Sequence, residues 1–263
     1  MHNLTRLLPL LLLAPLHGAL AYAAPAVAKD LGAIWFIGDS ITQSNADGDP
    51  QGSPRKSLHD LLTASGYTFT YTGHHTANVD GLPESGDKPE SDLYRFHSGI
   101  SGSVIGDGVG GRAGMTKSLP QFWAKGRLAS VKPSIVLVML GTNDVNSDVD
   151  PDHAPARLKK FVEALYALPG ARRPAVFIST IAPNRTQETM PAKTAAYNAA
   201  LPKVVAALRA SGKDVTLVDA FTPLNAGYEK LMRDDNLHPN GDGNAAIARV
   251  WFAALEARAK KSR

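Results

Sequence analysis

The strongest constraint in this chain is a set of short apolar runs that are too brief for buried helices and carry no polar face. Ile135 to Leu140 is unbroken apolar sequence, and Ala175 to Ile181 is nearly so. Ala33 to Ile37 and Val215 to Val218 repeat the pattern. A strand with one solvated face alternates apolar and polar residues, so runs without alternation suit strands covered on both sides. Tyr67 to Thr72, rich in aromatics and threonine, reads as a further strand. Between these lie stretches of helical spacing. Ser57 to Ser65 carries Leu58, Leu61 and Leu62 and stops at Gly66. Ala154 to Leu168 is helical by period, Lys193 to Ala210 is a helix interrupted near Pro202 and stopped by Gly212, and Asp242 to Lys260 closes the chain. Parallel strands need long crossovers, and the spacings allow them. The expected fold class is therefore α/β with a mostly parallel sheet. We find no internal repeat and no second boundary, which places one domain over residues 30–258.

Composition removes several classes of chemistry. The chain has no cysteine, so disulfides, thiolate metal sites and cysteine nucleophiles are excluded, and stability must come from core burial. Its 44% hydrophobic and 20% charged residues are those of a folded domain rather than a disordered chain. The formal charge of +4 is too mild to imply nucleic acid. Residues 259–263 read as a solvated basic tail.

The start of the chain has a different character. Arg6 precedes an apolar stretch that runs to Ala21, broken by Pro9, Pro15, His17 and Gly18. Ala21-Tyr22-Ala23 and Ala26-Val27-Ala28 offer small-x-small cleavage sites. This is the pattern of a signal peptide over residues 1–24, with cleavage as late as 28, rather than of a spanning helix. The expected location is secreted or periplasmic, with no stable membrane insertion after cleavage.

Three segments bring chemistry to strand ends or to the region before the last helix, where an open α/β sheet places its ligands. Gly38-Asp39-Ser40-Ile41-Thr42 follows the first run, and a serine on such a turn exposes its hydroxyl. A hydroxyl is a poor nucleophile without an adjacent base. Asp235-Asn236-Leu237-His238-Pro239 supplies one: the His238 ring can take the proton from Ser40 and return it to a leaving alkoxide. A carboxylate must hold the other ring nitrogen. Asp235, three residues earlier, is the candidate, with Asp234 as substitute. Gly141-Thr142-Asn143-Asp144 ends the central run, and the Asn143 amide is a neutral donor for an oxyanion. A backbone N–H of the Gly99-Ile100-Ser101-Gly102 turn and the N–H of Ser40 are further donors.

Gly-Asp-Ser-Ile-Thr near the start, Gly-Thr-Asn-Asp in the middle and Asp-x-x-His-Pro near the end resemble the marks of the SGNH hydrolase superfamily, the GDSL-like esterases. The resemblance spans residues 33 to about 255. It implies a three-layer α/β/α sandwich and no metal or organic cofactor. It further implies Ser40 as nucleophile, Asp235 and His238 as its triad partners, and Gly102 and Asn143 as oxyanion donors. The opening motif, Leu61-Leu62 and Gly66 to Gly73 look like the carbohydrate-esterase branch that includes acetyl xylan esterases. In that branch glutamate-glycine often stands where this chain has His97-Ser98. The implied substrate is an acetylated polysaccharide or oligosaccharide. Two alternatives remain: a lipolytic carboxylesterase, lysophospholipase or thioesterase with the same triad, or a non-catalytic carbohydrate-binding relative. The polar excursion from Gly73 to Phe96 favours a short acyl group on a hydrophilic alcohol.

Other signals have plainer readings. Gly106 to Gly111 matches G-x-G-x-x-G without a clear preceding strand or a following acid, and reads as loop glycine. Asp144, Asn146, Asp148, Asp150 and Asp152 alternate like a calcium loop, but Val149 and Pro155 occupy its diagnostic positions. Some of them are expected to cap the next helix. His74, His75 and His97 read as solvated loop residues, Trp35 as core, and Trp123 and Tyr94 as candidate sugar platforms. Asn184-Arg185-Thr186 is a glycosylation sequon, of consequence only in a host that glycosylates.

Overall fold

The apolar runs fold as strands that lie side by side and point the same way. The computed structural model describes residues 29–43, 53–74, 96–124, 128–171 and 173–261. The expected leader, most of the polar excursion with His75 and Tyr94, and the last two residues of the basic tail lie outside them. Strands β1 (Lys29–Gly38), β2 (Tyr67–Thr72), β6 (Ile135–Met139), β7 (Ala175–Ser179) and β8 (Val215–Val218) form one sheet in the order β2-β1-β6-β7-β8, every pair parallel. The two-residue β3 (Ser98–Gly99) pairs with Ile37 and Gly38, beyond the point where β2 leaves β1.

Helices cover both faces. Successive strand residues point to opposite sides, and the two cores divide accordingly. Trp35, Ile37, Val136 and Val138 pack with Leu119 of α3 (Met115–Ala124), Phe161 of α6 (Ala154–Tyr166) and Leu201 of α7 (Met190–Ala210). Ile34, Phe36, Ile135 and Leu137 pack with Leu58 of α2 (Pro54–Ala64) and with Ile247 and Trp251 of α10 (Gly241–Lys261). This is the expected three-layer sandwich. The chain starts at β1, steps to β2 and then returns past β1 to β6. The strand order therefore reverses between β1 and β6, and the crevice for ligands opens at the carboxyl ends of those two strands. The short helices α1 (Ser40–Gln43) and α5 (Thr142–Asn146) begin there.

Several boundaries differ from the reading of the sequence. Helix α2 begins at Pro54, three residues before the expected Ser57, because the Ser53 hydroxyl accepts the N–H of Arg55 at 3.2 Å and proline suits the first turn. Helix α7 is not interrupted: it runs from Met190 through Pro202 to Ala210, with Pro202 on its exposed side. Five helices were not anticipated: α3, α4 (Leu128–Val131), α5, α8 (Phe221–Ala226) and α9 (Tyr228–Leu231). The glycine-rich stretch forms a small hairpin of β4 (Gly108–Val109) and β5 (Arg112–Ala113), with Gly108, Gly110 and Gly111 at positive φ. That agrees with loop glycine and not with a dinucleotide turn. Among the described residues no helix is long and apolar enough to cross a membrane.

Candidate active site

Ser40 opens α1 one residue after Asp39, at the point where β1 gives way to the turn. Gly38 is required here. A Cβ on it would collide with the Thr42 side chain and the Met139 carbonyl, so the turn closes against β6 only with glycine. The far end of α1 is held by Arg55. Its fully buried guanidinium donates to the carbonyls of Thr42 and Gln43, the latter at 3.4 Å. Burial pulls the guanidinium down to about 9, while the nearby Tyr71 phenol works the other way.

His238 arrives from a tight loop between α9 and α10. The Arg233 N–H donates to the His238 carbonyl at 2.8 Å, and the Asn236 N–H donates to the Arg233 carbonyl at 3.0 Å. Asn236 takes a left-handed φ of 59° to allow this closure, a conformation that asparagine tolerates better than most residues. The His238 ring then bridges two groups. Its Nε2 lies 2.9 Å from Ser40 Oγ, across 198 residues of sequence, and its Nδ1 lies 2.8 Å from Asp235 Oδ2. Asp235 Oδ1 accepts the N–H groups of Leu237 and His238, both at 2.9 Å. Desolvation pushes the Asp235 carboxyl up. The backbone N–H groups of His238 and Leu237, and then the His238 ring, outweigh it and hold the carboxyl below its usual value. Asp234 is exposed, and the ring meets Asp235 instead.

Asn143 sits in the first turn of α5, after Gly141 at φ 120°. A side chain on Gly141 would enter the ring of Tyr197, whose hydroxyl donates to the Leu140 carbonyl at 2.7 Å. The Asn143 Nδ2 donates to the Ser103 carbonyl at 3.0 Å. Ser103 closes the turn that contains Gly102 (φ 73°), with its N–H on the Ile100 carbonyl. That turn docks on α1 and on the end of β1: the Ser101 N–H donates to Gln43 Oε1 at 2.5 Å and the Ile100 N–H to the Gly38 carbonyl at 3.0 Å. Ser40, Asp235 and His238 are thus joined directly. Gly102 and Asn143 are joined to each other's loops and, through Gln43 and Gly38, to the serine turn.

The acidic stretch after Asn143 serves other contacts. Asp144 is buried, accepts Arg157 at 2.8 Å on one oxygen and accepts the Ile105 N–H at 3.1 Å on the other. Asp150 meets Arg157 and His153, and Asp148 meets Lys193 at 2.7 Å. The capping expectation is not met. Neither the turn Pro151–His153 nor α6 receives a side-chain cap, because these carboxylates turn toward Arg157 and Lys193 instead. Among the described residues no three His, Asp or Glu side chains gather as a metal ligand set. His97 is buried rather than solvated, its Nδ1 accepting the Gly99 N–H at 3.0 Å. His74 stacks on Phe122 at 4.0 Å and meets Ser98 Oγ at 2.9 Å. Trp123 is not a surface platform. It packs in the core with its indole N–H on the Pro169 carbonyl at 3.0 Å.

Three residues near this constellation carried no separate signal in the sequence. Asp39, inside the serine motif, is fully buried. Arg55 precedes the expected helix start at Ser57 and drew no reading of its own. Arg112, in β5, donates to the Gly102 carbonyl at 3.0 Å. Residue type alone does not reveal depth: Arg55 shares the buried stripe of Leu58 and Leu62 but lies before the helix start expected at Ser57.

Comparison with known proteins agrees with this architecture. The model of the GDSL-like Lipase/Acylhydrolase family matches residues 36–246. A multidomain esterase of Ruminococcus flavefaciens is 29% identical over 256 residues, which is 91% of this chain and 31% of that protein. The chain therefore spans about a third of that relative's length. An acetyl esterase variant solved with an acetate ion superimposes with a TM-score of 0.64 at 23% identity, over 88% of this chain and 100% of the other. A carbohydrate esterase family 3 protein from Talaromyces cellulolyticus gives 0.64 at 24% identity, over 88% and 99%. An acetylxylan esterase from Geobacillus stearothermophilus gives 0.54 at 18% identity, over 86% and 94%. At these identities the structural likeness establishes the fold.

Proposed function

The chain belongs to the GDSL-like lipase/acylhydrolase family, and from that premise we propose that it is an exported serine esterase removing acetyl or other short acyl groups from carbohydrate. The observation that carries this reading is the hydrogen-bonded series Ser40 Oγ, His238 Nε2, His238 Nδ1 and Asp235 Oδ2, at 2.9 and 2.8 Å. Ser40 Oγ attacks the ester carbonyl as its proton passes to His238 Nε2. Asp235 accepts a hydrogen bond from Nδ1–H, which fixes the tautomer and stabilises the imidazolium, and stays ionised throughout. The tetrahedral oxyanion takes hydrogen bonds from the N–H of Ser40, the N–H of Gly102 and the second N–H of the Asn143 amide. Each such donor contributes about 3–4 kcal/mol to lowering the barrier. The C–O bond to the alcohol breaks, and His238 gives its proton to the departing alkoxide. Water then attacks the acyl-Ser40 ester with His238 again as base, releasing the acid and restoring the serine.

The substrate class draws support from the acetyl, carbohydrate and acetylxylan esterases that share the fold, and from the polar sequence between Gly73 and Phe96. Export rests on the leader-like residues 1–24. The test is an ester panel, from p-nitrophenyl acetate through long acyl chains, beside acetylated xylan and acetylated monosaccharides. The acetyl esters should be fastest, acetate should be released from xylan, and Ser40→Ala should lower every rate by more than roughly 1,000-fold. A preference for long acyl chains would move the reading to a lipolytic enzyme. Full activity in Ser40→Ala would end it.

A further inference from the structure

The loop after β7 contains the Asn184-Arg185-Thr186 sequon, and its three residues reach in two directions. Asn184 is 2% exposed. Its Nδ2 donates to Asn146 Oδ1 at 3.0 Å, and its own Oδ1 accepts the Thr186 N–H at 3.0 Å. The Thr186 hydroxyl lies 2.9 Å from Asn146 Oδ1 and 2.7 Å from Asn184 Oδ1, and gives its single proton to one of them at a time. Asn146 is the last residue of α5, one turn beyond Asn143. Arg185 faces the other way. Its N–H donates to the Asn236 carbonyl at 3.0 Å, and its guanidinium lies 3.6 Å over the ring of Tyr228. The Tyr228 hydroxyl donates to Asn236 Oδ1 at 3.1 Å. Asn236 is the left-handed residue between Asp235 and His238.

We infer that Asn184-Arg185-Thr186 is a positioning latch that sets the place of the Asn143 helix relative to the Asp235–His238 loop. The inference rests on the roles given above to Ser40, His238 and Asn143. A helix of five residues cannot hold itself in water, so α5 needs anchors outside its own turns. The latch supplies one at its last residue, and through the next residue along the chain ties that anchor to the histidine loop. An oxyanion donor must be held to within about 0.5 Å to act at full strength. Slack in the latch therefore costs the transition state and leaves ground-state binding of a small ester nearly unchanged. The same geometry gives the sequon its meaning in the folded protein. A glycan on Asn184 Nδ2 would leave one N–H but needs space that a residue 2% exposed does not offer, so an occupied sequon and a closed latch exclude each other.

The test is steady-state hydrolysis of p-nitrophenyl acetate by the full chain and its variants, each shown by circular dichroism to be folded at the assay temperature. Thr186→Val keeps the shape and removes the hydroxyl; kcat should fall about tenfold while KM moves less than about twofold. Thr186→Ser should restore the rate to within about twofold of the parent. Asn184→Ala should reproduce the loss, and should it fail to fold, the valine–serine pair decides the matter. In an Asn143→Ala background, Thr186→Val should cost almost nothing further, because the latch acts through Asn143. An unchanged kcat in Thr186→Val, or the same loss with and without Asn143, would overturn the latch. Activity surviving in Ser40→Ala would instead remove the catalytic reading beneath it, so the two failures are separable.

Discussion

Asp39 stands between the glycine of the serine turn and Ser40, with its side chain fully buried and Oδ1 accepting the Ile41 N–H at 3.0 Å. Burial pushes its carboxyl from 3.8 up to about 6. The Thr142 side chain, the Ile41 N–H and the His238 charge oppose that rise, and Asp144 adds to it. An acid whose value is raised on folding gives its full support to the fold below its unfolded value and loses it as pH climbs through the folded one. The window here is pH 3.8 to about 6, and the shift corresponds to about 3 kcal/mol once the carboxyl is ionised. Asp39→Asn keeps the acceptor oxygen and cannot ionise. Denaturant melts should show it more stable than the parent at pH 7.5 by up to about 3 kcal/mol, with the gap closing as pH is lowered toward 4. A variant less stable than the parent at pH 7.5 would show that the ionised carboxylate supports the fold. Asp39 drew no reading of its own from the serine motif. Hydrogen-bonding type is visible in the sequence, whereas the depth that moves the proton equilibrium depends on distant segments such as Thr142 and Asp144 of α5 and the His238 loop.

Helix α7 shows how far local pattern carries and where it stops. Its period and its end before Gly212 were readable, but Pro202 argued for a break that does not occur. Proline lacks an N–H and crowds the carbonyl one turn back, a cost of about 3 kcal/mol in a helix interior. Here the buried face, with Tyr197, Leu201, Val204, Val205 and Leu208, holds the helix on both sides of the defect, and tertiary packing overrides the local penalty. Pro202→Ala restores the missing donor at an exposed position and gives back some unfolded-chain freedom, so stability should rise by about 1–3 kcal/mol. A thermal melt checks this; a lower midpoint would mean that the proline stabilises the protein by restricting its unfolded chain. Helix α3 went unread for a related reason. Pro120 lies inside it, and it follows directly on the glycine-rich stretch, so its period was overshadowed by breaker residues. Helices α8 and α9 are too short, at 6 and 4 residues, to establish a helical period at all. The strands were read more faithfully. Tyr67–Thr72 and Val215–Val218 coincide with the expected runs, and Ile135–Met139 and Ala175–Ser179, buried at every residue, lie within theirs, because burial on two faces leaves a nearly continuous apolar signature.

At the scale of the whole molecule, the parallel sheet turns linear separation into proximity. Nothing in the spacing of residues 40, 143 and 238 gives a distance. Their shared position, after strands or before the last helix, does so once the strands run parallel. The links that hold these segments in place, Arg55 on α1 and Asn146 on the loop after β7, stayed illegible because they join residues with no common pattern. The same sheet joins the two cores. Phe161 is buried on one face and Trp251 on the other, yet each lies in a core that includes alternating residues of β1 and β6, so neither core survives loss of the sheet. With no disulfide to hold a part together, unfolding should be one cooperative transition, indifferent to reductant. Phe161→Ala and Trp251→Ala each leave a large cavity and should each cost about 3–5 kcal/mol. Denaturant melts followed by tryptophan fluorescence, far-ultraviolet circular dichroism and esterase activity should share one midpoint for each protein. The double variant should lose close to the sum of the single losses, since the two sites share no contact across the sheet. Probes that separate into two transitions, one moved only by Phe161→Ala and the other only by Trp251→Ala, would mean that the layers fold independently and that the sheet does not couple them.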